Sequence, residues 1–132
     1  MSTRYMLDTD TSSFIIRGGN EALRERVERH ADALCVSVVT EAELRFGARK
    51  RGSARINSSV EFFLALVDII PWGSGAAARY AEIRAALEGA GTPIGNMDML
   101  IAASALAENC RIVTHNTAHF SRVPGLEIED WV

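Results

Sequence analysis

Leu34–Val39 reads LCVSVV, and Thr40–Gly47 follows directly as TEAELRFG. The first run is almost continuously apolar and β-branched at Val36, Val38 and Val39, which reads as a strand without a polar face. A strand of this kind is covered on both sides, as happens in a parallel sheet held between helical layers. At Thr40 the pattern changes to a helical one, over Glu41–Arg51. Outward from this point the same alternation recurs. Strand patterns occupy Arg4–Asp8, Val67–Ile70, Arg111–Thr114 and, more weakly, Leu126–Glu129. Helical patterns occupy Thr11–Arg17, Glu21–Ala31, Arg55–Leu66, Ala76–Glu88 and Met97–Glu108, with Gly89, Gly91 and Pro93 breaking the chain before the last. Strands alternating with helices at this spacing make βαβ units. The expected fold is α/β, a three-layer α/β/α sandwich with a central parallel sheet of four to five strands, forming one domain over residues 1–132.

Bulk composition narrows the function. Of 132 residues, 48% are hydrophobic and 23% charged, an ordinary globular balance that argues against disorder. A net charge of −3 advertises no polyanion partner, so affinity for nucleic acid has to come from a local patch. The first four residues, Met-Ser-Thr-Arg, lead into no apolar signal region. The longest apolar runs, Phe62–Val67 and Leu100–Ala107, fall well short of the ~20 residues that span a bilayer. Cys35 and Cys110 lie in apolar, strand-like surroundings and make no disulfide framework. These features describe a soluble, reduced, cytoplasmic protein with no membrane partner.

In parallel α/β sheets, ligands bind beyond the carboxyl ends of the strands. Asp8 falls there, at the end of the first strand pattern. Glu43, in the first turn of the helix after LCVSVV, reaches the same edge. So does Asp98, in the first turn of the last long helix (GNMDMLIAASA). Thr114 ends the strand RIVT and Asn116 follows it, in THNTAHF. Local roles compete for several of these residues. Thr40-x-x-Glu43 has capping-box form, Asn96 can cap the helix of Asp98, and Asp10 can cap Thr11–Arg17. Asp8 has the weakest local explanation, because Asp is a poor strand former. Carboxylates gathered on one edge repel unless a cation joins them, and oxygen-only ligands select hard ions such as Mg²⁺ or Mn²⁺. Such ions suit phosphodiester hydrolysis.

Five motifs in order, YMLDT, VVTEAELRFGA, GNMDMLIAASA, IVTHNTAHF and VPGLEIEDW, resemble the PIN-domain toxins of the VapC type over nearly the whole chain. These are the ribonuclease halves of bacterial toxin–antitoxin pairs. The resemblance implies a PIN-like fold and a Mg²⁺- or Mn²⁺-dependent endoribonuclease acting on RNA, with tRNA the leading candidate. It also implies a homodimer neutralised by a VapB-type antitoxin in a higher assembly. Position by position, Asp8, Glu43 and Asp98 correspond to the first three family acids, acting as metal ligands and catalytic groups. Glu41 corresponds to none and is expected to be solvated. The fourth acid is replaced by Asn116. The residue two after the first acid, usually Asn in the family, is Asp10, which can partly restore the missing charge. Hydrolysis by such a site leaves 5′-phosphate and 3′-hydroxyl ends.

Arg45, Arg49, Lys50, Arg51 and Arg55 form a basic run leaving the helix of Glu43, either a solvated face or a contact for the RNA backbone. Cys110, His115 and His119 have zinc-like spacing but lack a fourth ligand, and Cys110 sits at the far end of its strand. Val60–Trp72 is more apolar than one helix face requires, so it can feed a dimer or antitoxin contact besides the core. Trp131 is expected to pack against the sheet edge. Two other functions compete: a catalytically silent PIN-like module binding RNA or protein, kept open by Asn116, and a haloacid-dehalogenase-type phosphatase. The second would use Asp8 as nucleophile and Asp10 as acid–base, but it also needs a lysine clamp, and the only lysine is Lys50.

Overall fold

Alternate residues of three short strands part to opposite sides of the sheet, and this sets the layering. Tyr5–Leu7 (β1), Leu34–Ser37 (β2) and Arg111–Val113 (β4) send Met6, Cys35 and Ile112 into one core. The same strands send Leu7, Val36 and Val113 into the other, as the two-residue period requires. The computed structural model describes residues 3–132. Met1 and Ser2, where the reading of an absent signal region begins, lie outside the described residues. Asp68–Ile70 (β3) and Ile128–Glu129 (β5) complete a five-stranded sheet in the order β3-β2-β1-β4-β5. Every neighbouring pair is parallel, with Met6 opposite both Cys35 and Ile112.

Among the described residues, seven α-helices flank the sheet: α1 Thr9–Arg17, α2 Glu21–Arg29, α3 Val38–Arg51, α4 Ala54–Leu66, α5 Ser74–Gly89, α6 Asn96–Ala107 and α7 Thr117–Phe120. Ile83 and Leu87 of α5, Met99 and Ile101 of α6 and Phe120 of α7 fill the core around Met6. Leu23 of α2, Leu44 of α3 and Phe63 and Leu64 of α4 fill the core around Leu7. Burying each such side chain contributes roughly 1.5–3 kcal/mol relative to exposure. The chain steps from β1 to β2 and β3 on one side, then crosses to β4 and β5 on the other. The strand order therefore reverses between β1 and β4, and a crevice opens at their carboxyl ends.

The opening stretch is strand for only four of its six residues. Ser37 is extended (φ −71°, ψ 149°), and its hydroxyl accepts a hydrogen bond from the Val39 N–H at 3.1 Å, so the helix starts at Val38. Val38 and Val39 are strand formers by propensity, yet this cap and the packing of α3 override it. The helix closes at Gly52 in the left-handed region (φ 64°), whose N–H reaches the Ala48 and Arg49 carbonyls. Of the apolar stretch after Val60, Val60, Phe63 and Leu64 are core, whereas Phe62 and Leu66 lie open at 69% and 64% exposure. Trp131 is buried, stacked on His30 with ring centroids 5.2 Å apart, and donates to Glu129 at 2.9 Å.

Candidate active site

β1 ends at Leu7, one residue earlier than its sequence pattern, and Asp8 becomes the N-cap of α1. Its Oδ1 accepts from the Thr11 N–H at 2.8 Å, and the residue is only 3% exposed. The capping role expected of Asp10 thus belongs to Asp8, and Asp10 lies exposed in the first turn of the same helix. Burial pushes the Asp8 carboxyl up, against hydrogen bonds from Thr114 and Thr11 that favour its charged form. Thr114 is completely buried at the end of β4, and its hydroxyl accepts from the Asn116 N–H at 2.9 Å.

Glu43 sits in the second turn of α3, not the first, because the helix begins two residues before Thr40. Ser37 caps that helix, so Glu43 plays no part in a capping box. Its Oε1 instead accepts from the Thr9 hydroxyl at 2.6 Å. Thr9 Oγ1 also lies 3.2 Å from the hydroxyl of the fully buried Thr40. Since a carboxylate only accepts, Thr9 donates to Glu43 and Thr40 donates to Thr9. This chain ties the residue after Asp8 to the second acid. Sequence reading did not find Thr9. Its only signal was a hydroxyl beside Asp8.

Asp98 lies in the first turn of α6, whose N-cap is Gly95 and not Asn96, with no side-chain cap bond. Its carboxyl is pushed up from 3.8 to about 6, first by burial and then by the charges of Asp8, Asp10 and Glu43, with His119 acting the other way. Three separate elements therefore bring Asp8 and Glu43 within electrostatic reach of Asp98 at the switch point. Asp10 joins them through the first helical turn, since the strand does not continue to it. Asn116 turns its amide Nδ2 to His119 Nδ1 at 2.9 Å, which makes that ring nitrogen the acceptor. His115 points elsewhere, onto Asp130 at 3.1 Å.

Among the described residues, no three acidic, His or Cys side chains close into a ready-made metal cage. Cys110 instead lies 3.8 Å from Cys35, away from both histidines, and the zinc reading ends there. The carboxylates stand apart, as like charges do, yet their chemistry fits a hard divalent cation. All donors are oxygen, and the Asp98 carboxyl, pushed up to about 6 first by burial and then by the other acids, would be eased by a positive charge. Glu41 is not fully solvated: it pairs with Arg45 at 3.0 Å, and Arg45 also binds Glu61. Arg49, Lys50 and Arg51 are exposed in the last turn of α3, so Lys50 clamps no phosphoryl group beside Asp8.

A doubly wound parallel sheet with acids at its switch point defines the class, and the PIN domain profile matches residues 5–126. The tRNA(fMet)-specific endonuclease VapC of Salmonella typhimurium is 37% identical over 97% of this chain and 98% of its own length. The VapBC2 complex of Rickettsia felis bound to a promoter DNA fragment superposes with a TM-score of 0.93 at 33% identity, covering 98% of this chain and all of that one. DNA-bound VapBC from Salmonella typhimurium gives 0.91 at 36% identity, over 99% of this chain and 100% of that chain. The chain belongs to the VapC ribonucleases of the PIN-domain family.

Proposed function

We propose that this ribonuclease toxin depends on Mg²⁺ or Mn²⁺ held by Asp8, Glu43 and Asp98, that it cleaves tRNA, and that a VapB-type antitoxin neutralises it. The single observation that carries the metal reading is the convergence of those three acids, from three separate elements, on the crevice between β1 and β4. A bound divalent ion supplies positive charge for the scissile phosphate and lowers the pKa of an attacking water. The chain's own residues do the rest. Asp8 is fixed by its cap bond and by Thr114, Glu43 is aimed by Thr9, and Asp98 is held on the first turn of α6. Asn116 adds no charge but holds the His119 ring beside the site through Nδ1. No step needs Asp10 as an acid–base. Its charge adds to the site's demand for a cation and offsets in part the acid replaced by Asn116.

The tRNA(fMet)-specific endonuclease and the VapBC2 complex among its relatives support tRNA as substrate and VapB as partner. Phe46, Phe62 and Leu66, exposed at 68%, 69% and 64%, are large apolar side chains on α3 and α4 that suit a homodimer or antitoxin contact. Among the described residues no helix is long and apolar enough to cross a membrane, and the reading is of one PIN domain acting in the cytoplasm. The test is RNA cleavage in Mn²⁺ by wild type and by Asp98→Asn, with the product ends sequenced. Wild type should leave 5′-phosphate and 3′-hydroxyl ends and the variant should cut at least 100-fold slower, a size ordinary for removing one charge-stabilising group. Ends bearing a 2′,3′-cyclic phosphate, or full activity in EDTA, would end the metal reading.

A further inference from the structure

Between α1, α3 and α4 runs a groove of about 530 Å³ that begins at Thr9 and Glu43 and leads away from the acids. Arg17, from the last turn of α1, stands on its wall with Arg51 and Arg55, which flank the α3–α4 turn. Their charges are uncommitted. Ion pairs among the described residues engage Arg4, Arg24, Arg26, Arg45, Arg79, Arg84 and Arg111, and none involves these three. Glu43, at the inner end, is the only acid lining the groove. Arg17 is further held by its own Phe14 ring, 4.8 Å away. On a chain of net charge −3, three free guanidiniums around one channel that opens on an acidic centre are a local reversal of sign.

We propose that this groove is the track for the single-stranded RNA backbone entering the site, with Arg17, Arg51 and Arg55 each meeting one phosphate. The assignment rests on the ribonuclease reading of the acids and extends it. A polyanion approaching Glu43 and Asp98 is repelled by them, so its binding strength has to come from cations set back from the reacting phosphate, as these three are. Guanidinium forks suit phosphate oxygens, and the apolar floor of Leu44, Ile56 and Val60 offers ribose and base faces a dry surface. Beside it, Gly47 leaves open space where a Cβ would stand, which lets a backbone come near α3. Arg45 is excluded from the track by its two acid partners. Arg49 lines a separate pocket with Glu61.

The test measures binding of a 12-nucleotide single-stranded RNA against salt, in an Asp98→Asn background that limits turnover. Each phosphate contact contributes a slope of about −0.7 in log K against log salt, so replacing all three arginines by alanine should flatten the slope by about 2 and weaken binding ~100-fold at 0.1 M salt. The triple lysine variant should keep the slope, and an Arg49→Ala/Lys50→Ala control should change it little. All positions are exposed, and an unchanged thermal transition shows that the fold is intact. An unchanged slope in the triple alanine variant overturns the proposal, as does an equal loss in the control. A triple variant that loses its antitoxin while keeping the RNA slope assigns the groove to protein and overturns it too. Wild type that binds RNA with the expected slope yet never cuts it refutes the nuclease reading alone and leaves the track standing.

Discussion

Replacing Asp98 by Asn should make the metal-free protein more stable. The Asp98 carboxyl rises from 3.8 to about 6 on folding, so between those values the folded chain binds more protons than the unfolded one. Stability therefore falls as pH rises through that window and stays reduced above it. At 1.36 kcal/mol per pH unit the ceiling is ~3 kcal/mol, and solvent screening of a half-buried group leaves about 1–2 kcal/mol at pH 7.5. Asn keeps the shape, removes the charge and escapes that cost. In a chain of this size the gain corresponds to a rise of roughly 4–8 °C in Tm.

The assay is thermal unfolding in EDTA at pH 5 and pH 7.5. Wild type should lose stability between the two, and Asp98→Asn should lose less. Some loss remains because burial also raises the Asp8 carboxyl, in the same direction. Mg²⁺ in excess should then reverse the order, since a ligand at 100 times its Kd stabilises by about 2.7 kcal/mol and the variant binds it poorly. If Asp98→Asn melts at or below wild type in EDTA at pH 7.5, the cost inferred for that charge, from burial and from the neighbouring acids, is not there.

Thr9→Val removes a charge-assisted hydrogen bond of 2.6 Å and should weaken Mn²⁺ binding about tenfold by calorimetry; Thr9→Ser should restore it, which a purely packing role for the methyl would not. Ser37→Ala deletes the cap of α3 and should cost ~1 kcal/mol in denaturant unfolding while kcat, measured well below the transition, stays near wild type.

The layered fold was legible because burial on both faces leaves a mark on composition. LCVSVV could not be a half-exposed strand, and Met6/Leu7 and Ile112/Val113 part to separate cores as a two-residue period demands. The helices carried clear periodicity, and Gly52 ends α3 where the sequence placed its end, after Arg51. Short α7 escaped notice, since four residues display too little period to read. What failed were boundaries, and the failures share a cause. Each strand that feeds the active edge stops before its sequence pattern does: β1 at Leu7, where Asp8 turns to cap α1, β2 at Ser37, which caps α3, and β4 at Val113. Local propensity does not see which residue tertiary packing will select as a cap.

Those early stops also reassign the caps. Sequence motifs offered Asp10, Thr40 with Glu43, and Asn96 as capping groups; the folded chain uses Asp8, Ser37 and Gly95. Asp8 keeps a structural duty through the Thr11 N–H, which explains its place without any chemistry. Glu43 and Asp98 are left with none. One accepts a hydrogen bond from Thr9, and the carboxyl of the other is pushed up to about 6. Glu43 caps no helix end and pairs with no cation among the described residues, and burial and neighbouring acids make the charge of Asp98 costly, so the folded chain gives little reason for either to be acidic. An added positive ion supplies one, which is why the acids without a capping role say more about the reaction than the acid that has one.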